Sequence, residues 1–332
     1  MILHPAILAL LAGALLTSFM VVYAGWYGVG ILLRWDIRSG SELQLSLERR
    51  TYLISTILSY VLVYQVLSLF LFIYTADHLH SQFAGAMCAA GTLNANGYGY
   101  PLLLTKLVNF MLAGVWLIVN HADIRGYDYP LIKVKYALLA AMVPLVLLEL
   151  VLQFGYFTGL HADVITSCCG SLFSQESRGI AADLAFLPNR MMNVAFYAGM
   201  ALTAAIGLAF YRTGRGCYLF SITSFLAFCI AIASLISFVC LYFYELPSHH
   251  CPFCILQKEY GGVGYVLYAA LLGGGVAGMG TGALTPFRKR PSMVRVIPQL
   301  QRRLTLVTLL LYGLFTALAS YQMLASPLRL GG

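Results

Sequence analysis

The sequence predicts an all-α polytopic membrane protein with about eight transmembrane helices and both termini on the extracytoplasmic side. Hydrophobic residues make up 60% of the 332 residues and charged residues only 10%, whereas about a quarter of the residues in a soluble domain are charged. The apolar residues also form long runs between short polar links, and about 20 such residues cross a bilayer as a helix. We therefore treat residues 1–332 as a single membrane domain.

Each apolar run predicts one helix, because backbone polar groups inside lipid must be satisfied within the segment. The first run has no Lys or Arg before it and exceeds the length of a signal-peptide core, so we interpret it as a retained span. The eight predicted spans are 5–33, 52–75, 101–120, 134–158, 191–211, 217–244, 259–282 and 304–325.

The basic residues predict the orientation of these spans. Fifteen of the 20 Lys and Arg residues fall in the links after the first, third, fifth and seventh spans. The positive-inside rule assigns these links to the cytoplasm, and the basic link 283–303 is expected to lie against anionic lipid. The net charge of +8 therefore reflects membrane topology and predicts no nucleic-acid binding. This pattern predicts a multi-pass protein of the bacterial inner membrane with an extracytoplasmic active face.

On this topology the outer links collect most of the cysteines. Cysteines in an oxidising compartment form disulfides, bind metal or exchange thiols. The three cysteines of the sixth span are predicted to be small packing residues, as are the glycines of 273–282. The outer cysteines are Cys88, Cys168, Cys169, Cys251 and Cys254.

The segment "HHCPFCILQKEY" (249–260) carries the most specific motif. Cys251 and Cys254 stand directly before the seventh span, and a helix start stabilises a thiolate, which is the reactive form. Lys258 follows Cys254 by four residues, which places both on one face of a helix. A cation there favours the thiolate and suits the anion of a reduced quinone. A redox pair, a metal site and a structural disulfide all remain open from these residues.

Residues 230–270 resemble the DsbB-type disulfide-bond oxidoreductases, in which an outward span ends in Cys-x-x-Cys and the returning span begins with an aliphatic residue, Gln or Glu, and Arg. The resemblance implies that 191–282 form redox helices, with Cys251 and Cys254 as the quinone-linked pair. Gln257 and Lys258 would then contact ubiquinone or menaquinone, with Lys258 replacing the Arg of the family. The implied partner is an extracytoplasmic thioredoxin-like protein or another thiol substrate. Members of that family have four spans, so the rest of the chain lies outside the resemblance.

The remaining outer cysteines are candidates for substrate-facing thiols. Cys168 and Cys169 are adjacent in the outer link 159–190, and Cys88 lies in the first outer link. One arrangement joins Cys251 to Cys254 and Cys88 to Cys168 or Cys169, but sequence leaves the connectivity open.

Two other functions use the same outer residues. Thiolate and imidazole ligands suit Cu(I) or Zn, so the first function is a transporter or assembly factor that holds copper or another soft metal. Histidines at helix ends also suit haem. The second function is a membrane subunit of a respiratory complex, in which the cysteines are structural and the partners are other membrane subunits. The metal hypothesis uses His78, His80, His249, His250, Cys168 and Cys169.

Polar residues at membrane depth form a further candidate site, because they are costly there and often functional. Lys106 and Glu149 are predicted to pair in the outer leaflet and to serve quinone chemistry. Gln65, Asn109 and Gln153 either line the same interior or simply bridge helices. The segments "GYGYPLLLTK" (97–106) and "GYDYPLIKVK" (126–135) also resemble each other. This similarity is typical either of shared helix-start chemistry or of an inverted repeat.

Overall fold

The computed structural model describes residues 3–37, 39–161, 164–166, 180–185 and 187–329. Within these ranges every regular element is a helix and none is a strand, and eight helices are long and apolar enough to cross a membrane. The predicted all-α, eight-span fold is therefore confirmed, while the orientation of the termini stays a prediction. The spans are Pro5–Arg34, Glu42–Gln82, Gly99–Asp123, Ile132–Thr158, Asn189–Thr213, Cys217–Tyr244, Val263–Phe287 and Val296–Ala325.

The observed helices differ from the predicted spans chiefly at polar ends. The second span begins at Glu42 and the eighth at Val296, each several residues before the prediction, because helical structure continues beyond the apolar run. The seventh begins later than predicted, at Val263. Gly261 and Gly262 both have φ of +65°, a left-handed conformation that glycine adopts without strain and that interrupts a helix.

The chain divides into two compact units. The first consists of Met1–Thr75, Asn96–Leu160 and Ala283–Gln301, and the second of Ala76–Ala95, His161–Gly282 and Arg302–Gly332. The predicted outer cysteines that the structure describes all belong to the second unit, whereas Lys106 and Glu149 belong to the first.

In the first unit, the third and fourth spans pack through stripes of buried residues at alternating spacings of three and four. Such spacing keeps one helix face toward a neighbouring helix. The centre of each stripe is apolar, but polar residues stand toward both ends. The stripe of the third span is Lys106, Asn109, Ala113, Trp116, Asn120 and Asp123; that of the fourth is Ile132, Lys135, Leu139, Met142, Val146, Glu149, Gln153 and Tyr156.

Two buried ion pairs join these stripes. Lys106 Nζ lies 2.6 Å from Glu149 Oε1, and Lys135 Nζ lies 2.8 Å from Asp123 Oδ2. The predicted pairing of Lys106 with Glu149 is confirmed. Lys106 and Lys135 are the last residues of the two similar segments, and each pairs with an acid in the later part of the other helix. The similarity thus extends from the sequence to a reciprocal pair of contacts within one antiparallel hairpin.

Amide side chains complete the hydrogen bonding of the Glu149 carboxylate. Gln65 Nε2 donates to Glu149 Oε2 at 2.5 Å, and Asn109 Nδ2 donates to the same oxygen at 2.6 Å. Gln153 donates instead to the carbonyl of Leu10 in the first span. The Glu149 carboxyl group thus accepts from Lys106, Gln65 and Asn109, so this cluster joins the second, third and fourth spans.

In the second unit, glycines of the seventh span allow close helix packing, as predicted. A Cβ added to Gly278 would lie 2.0 Å from Ser224 Oγ of the sixth span, and one added to Gly274 would lie 2.5 Å from the ring of Tyr312 in the eighth. The sixth span contains a π-helical turn over Leu235–Val239. Turns of this kind occur mostly as single insertions in α-helices and often near functional sites.

Candidate thiol site

Three of the predicted outer cysteines meet in the second unit. The Sγ atoms of Cys88, Cys251 and Cys254 all lie within 4.8 Å of one another, and those of Cys88 and Cys251 are 3.5 Å apart. All three residues are buried, and Cys254 keeps 6% of its surface exposed. We call these three residues the thiol cluster. Cys168 and Cys169 lie outside the described residues.

The link 83–98 between the second and third spans, which the sequence predicts to be the first outer link, holds Cys88 through its backbone. Cys88 stands directly before the short helix Ala89–Leu93, and the N–H of Ala89 donates to Asp77 Oδ1 at 3.2 Å. Gly85 turns the chain just before this point with φ of +86°, and a Cβ there would lie 2.4 Å from the carbonyl oxygen of Thr166. Only glycine suits both the conformation and the close approach. The position of Cys88 is therefore set by a tight turn and a buried carboxylate.

Two tyrosines hold the Cys-Pro-Phe-Cys segment. Tyr244, the last helical residue of the sixth span, donates its hydroxyl to the carbonyl of Cys251 at 2.5 Å. Tyr268 of the seventh span donates to the carbonyl of Pro252 at the same distance. Cys254 opens a 3₁₀ turn that ends at Leu256. The two membrane helices thus fix the backbone that carries both cysteines.

A side chain from this segment also binds the first outer link. Gln257 Nε2 donates to the carbonyl of Met87 at 2.7 Å. Because Met87 precedes Cys88, this hydrogen bond ties the backbone beside Cys88 to the segment that carries Cys251 and Cys254. The contact gives Gln257 a positioning role; the quinone contact implied for it stays a prediction.

Of the candidate histidines, His249 contacts the thiol cluster. Its Nε2 lies 3.3 Å from Cys254 Sγ, and its ring packs edge-on against Tyr244 with centroids 4.7 Å apart. Burial lowers the pKa of His249 below its ordinary value, although the nearby Cys88 opposes this shift. The neutral ring that burial favours offers a nitrogen lone pair, which accepts a thiol proton or binds a metal ion.

The other three candidate histidines make different contacts. His250 Nδ1 lies 3.0 Å from the carbonyl oxygen of Ile236, inside the π-helical turn of the sixth span. The ring of His80 contacts the carbonyl of Asp77, and His78 is exposed near the end of the second span. A metal role for these three histidines stays a prediction.

The predicted relationship between Cys254 and Lys258 is wrong. Cys254–Leu256 and Lys258–Tyr260 are separate 3₁₀ turns, and Gln257 between them is extended with φ of −70° and ψ of 159°. The seventh membrane helix begins only at Val263, because two left-handed glycines precede it. Cys254 is therefore not at the start of that helix, and the exposed Lys258 does not lie one helical turn from it.

Several residues that build the site were not predicted. Asp77 stands in "YTADHLH" at the end of an apolar run. An acidic residue at that depth is costly, and this cost could have indicated that Asp77 belongs to a site. Tyr244 and Tyr268 are two of 22 tyrosines, and aromatic residues are common near membrane interfaces. Their contacts with the Cys-Pro-Phe-Cys backbone become visible only in three dimensions.

No family model, curated protein or solved structure matches this chain. The resemblance of residues 230–270 to the DsbB-type oxidoreductases therefore stays a prediction, and the functional argument depends on the geometry of the thiol cluster.

Proposed function

We propose that the protein is a membrane thiol–disulfide oxidoreductase that exchanges electrons between the thiol cluster and a membrane quinone. The observation that supports this proposal is the contact of Cys251 Sγ with Cys88 Sγ at 3.5 Å, with Cys254 Sγ inside the same 4.8 Å limit. Disulfide exchange requires a thiolate beside a sulfur of an existing disulfide. A sulfur with two neighbouring sulfurs meets that requirement.

The proposed exchange begins with a disulfide between Cys251 and Cys254. The Cys88 thiolate attacks the sulfur of Cys251, a Cys88–Cys251 bond forms, and Cys254 leaves as a thiolate. His249 Nε2, 3.3 Å from Cys254 Sγ, exchanges a proton with this sulfur. A thiolate of a dithiol substrate then attacks Cys88 Sγ, forms a disulfide with it and releases Cys251 as a thiolate; the second substrate thiolate displaces Cys88 and leaves the substrate oxidised. Reoxidation of the reduced Cys251 and Cys254 releases two electrons and two protons, which convert a quinone to a quinol. The reduction potentials of the partners decide the direction of flow.

Burial of the thiol cluster calls for a carrier between it and a soluble protein. Cys88 and Cys251 have no exposed surface, so a bulky thiol substrate has no direct access to them. We assign this carrier role to Cys168 and Cys169 in the link 159–190, as the sequence predicts. The distribution of basic residues supports placing this face on the extracytoplasmic side of a bacterial inner membrane, opposite a thioredoxin-like partner.

The experiment that tests this function is quinone reduction by purified protein with a dithiol as electron donor. The wild type should reduce a soluble quinone analogue, and Cys254→Ser should abolish the reaction because the quinone-linked pair is lost. Cys229→Ser is the matched control, since Cys229 is an exposed cysteine of the sixth span outside the cluster. Equal rates for wild type and Cys254→Ser would refute the proposal.

A further inference from the structure

We infer that the reduced thiol cluster and His249 form a zinc site of the Cys₃His type. This inference goes beyond the proposed function, because it depends on the geometry of four side chains and needs no quinone. Three thiolates and one imidazole make a complete tetrahedral ligand set for Zn²⁺. The sequence-based metal hypothesis drew on the outer cysteines and histidines without selecting a ligand set; the geometry selects Cys88, Cys251, Cys254 and His249.

Two distances between ligand atoms already match the edges of a tetrahedral site. With Zn–S bonds of about 2.3 Å and a Zn–N bond of about 2.0 Å, the edges of the tetrahedron are roughly 3.8 Å for S···S and 3.5 Å for S···N. Cys88 Sγ and Cys251 Sγ are 3.5 Å apart, and His249 Nε2 is 3.3 Å from Cys254 Sγ. The remaining sulfur distances are within 4.8 Å, so shifts of about 1 Å bring the three sulfurs around the ion. His249 lies outside that 4.8 Å group, and its side chain must rotate from Cys254 toward the ion to become the fourth ligand.

The backbone around these ligands is held by hydrogen bonds from outside the cluster. Tyr244 bonds the carbonyl of Cys251, Gln257 bonds the carbonyl of Met87, and Asp77 accepts the N–H of Ala89. Such supporting contacts orient ligands and raise metal affinity. The backbone that carries the three cysteines therefore needs little reorganisation on binding.

Charge distinguishes zinc from copper at this position. Three thiolates with Zn²⁺ leave a net charge of −1, whereas three thiolates with Cu⁺ leave −2. The three cysteines are buried, and buried net charge is costly unless it is paired. The divalent ion is thus the better match, although thiolates also bind Cu(I) tightly.

Zinc binding and disulfide exchange exclude each other, since both use the same sulfurs. Oxidation of two zinc-bound thiolates forms a disulfide, passes two electrons to a quinone that takes two protons from solvent, and releases Zn²⁺. This consequence depends on the proposed function, whereas the zinc site itself does not. A zinc-loaded protein should therefore resist oxidation by quinone.

The test measures how much zinc the full-length protein retains. The protein is reduced with a phosphine in detergent, loaded with ZnCl₂ and then desalted. The wild type should retain about one zinc ion per chain, as a single tetrahedral site requires. Cys88→Ser and His249→Ala should weaken zinc binding by at least about tenfold, since even the loss of a supporting contact costs that much. Co(II) loading gives a second readout, because thiolate–cobalt charge-transfer absorption should fall in Cys88→Ser.

Adjacent histidines supply the control. His250 bonds the carbonyl of Ile236 rather than a sulfur, so His250→Gln should keep its zinc while His249→Ala loses it, with both variants monodisperse. Three results would each overturn the zinc site. The reduced wild type could retain no zinc, or Cys88→Ser and His249→Ala could retain as much zinc as the wild type. The third result is stoichiometric binding of Cu(I) without retention of Zn²⁺. Because no quinone is present, failure of the oxidoreductase proposal leaves this result unaffected.

Discussion

Cys88 and Cys251 are 163 residues apart in the chain, yet their sulfur atoms lie 3.5 Å from each other. The link between the second and third spans and the Cys-Pro-Phe-Cys segment therefore build one site. In the proposed mechanism Cys88 is the sulfur through which the Cys251–Cys254 pair communicates with thiol substrates.

Replacing Cys88 should separate the two halves of the reaction. In Cys88→Ser, Cys251 and Cys254 remain together, so a soluble quinone should still oxidise them. Electron transfer from a thiol substrate should fall at least about tenfold, because no thiolate remains beside Cys251 to attack its disulfide. Stopped-flow measurement of each half-reaction checks this split. Unimpaired electron transfer from substrate in Cys88→Ser would remove Cys88 from the pathway.

Gln257→Ala should loosen the approach of Cys88 to Cys251. The variant loses the 2.7 Å hydrogen bond to the carbonyl of Met87, which contributes about 1 kcal/mol. We expect slower oxidant-induced crosslinking of Cys88 to Cys251, measured by mass spectrometry of digested protein. Glu259→Ala, an exposed change two residues away, should crosslink at the wild-type rate. Identical rates in all three proteins would argue against a positioning role for Gln257.

Glu149→Gln should destabilise the first unit strongly. The change leaves the Lys106 ammonium buried beside a neutral amide, and loss of one partner of a buried pair typically costs about 3–5 kcal/mol. A double variant with Lys106→Met and Glu149→Gln removes both charges and should recover most of the thermal stability. We would measure melting temperatures in detergent for the wild type, both single variants and the double variant. Their differences give the coupling energy between Lys106 and Glu149. A Glu149→Gln protein as stable as the wild type would contradict the assigned ion pair.

Gly278→Ala should push the sixth and seventh spans apart. Its Cβ would lie 2.0 Å from Ser224 Oγ, and overpacking of this kind costs roughly 1–3 kcal/mol. Gly313→Ala in the eighth span is the control, since no atom lies within 4 Å of a Cβ at that position. The melting temperature should fall for Gly278→Ala and hold or rise for Gly313→Ala. A decrease of equal size in both would contradict close packing at Gly278 as the cause, since Ala itself favours a helix more than Gly does.

The sequence predicts the helices well because the thickness of the bilayer imposes their length. It also predicts the pairing of Lys106 with Glu149, since two opposite charges at similar depth in lipid have few other partners. The meeting of Cys88 with Cys251 depends instead on the turn at Gly85 and on the carboxylate of Asp77. No repeating pattern in the sequence around Gly85 or Asp77 indicates which distant segment these residues contact.

The error at Lys258 has a local origin. Spacing of four residues predicts a shared helix face only where the helix is continuous, and here the extended Gln257 separates the turns that carry Cys254 and Lys258. Gly261 and Gly262 then delay the start of the seventh helix. The glycine pair is visible in "KEYGGVGY" and was the signal for a later helix start.

Thiol trapping with mass spectrometry, before and after addition of an oxidised quinone, tests the central claim most directly. Reduced protein should carry the alkylating label on Cys251 and Cys254, and quinone should convert them to a disulfide with Cys254 or Cys88 as the partner of Cys251. Cys229 should stay labelled in both samples as an internal control. If Cys251 and Cys254 remain fully alkylated after quinone addition in metal-free protein, the oxidoreductase account is contradicted.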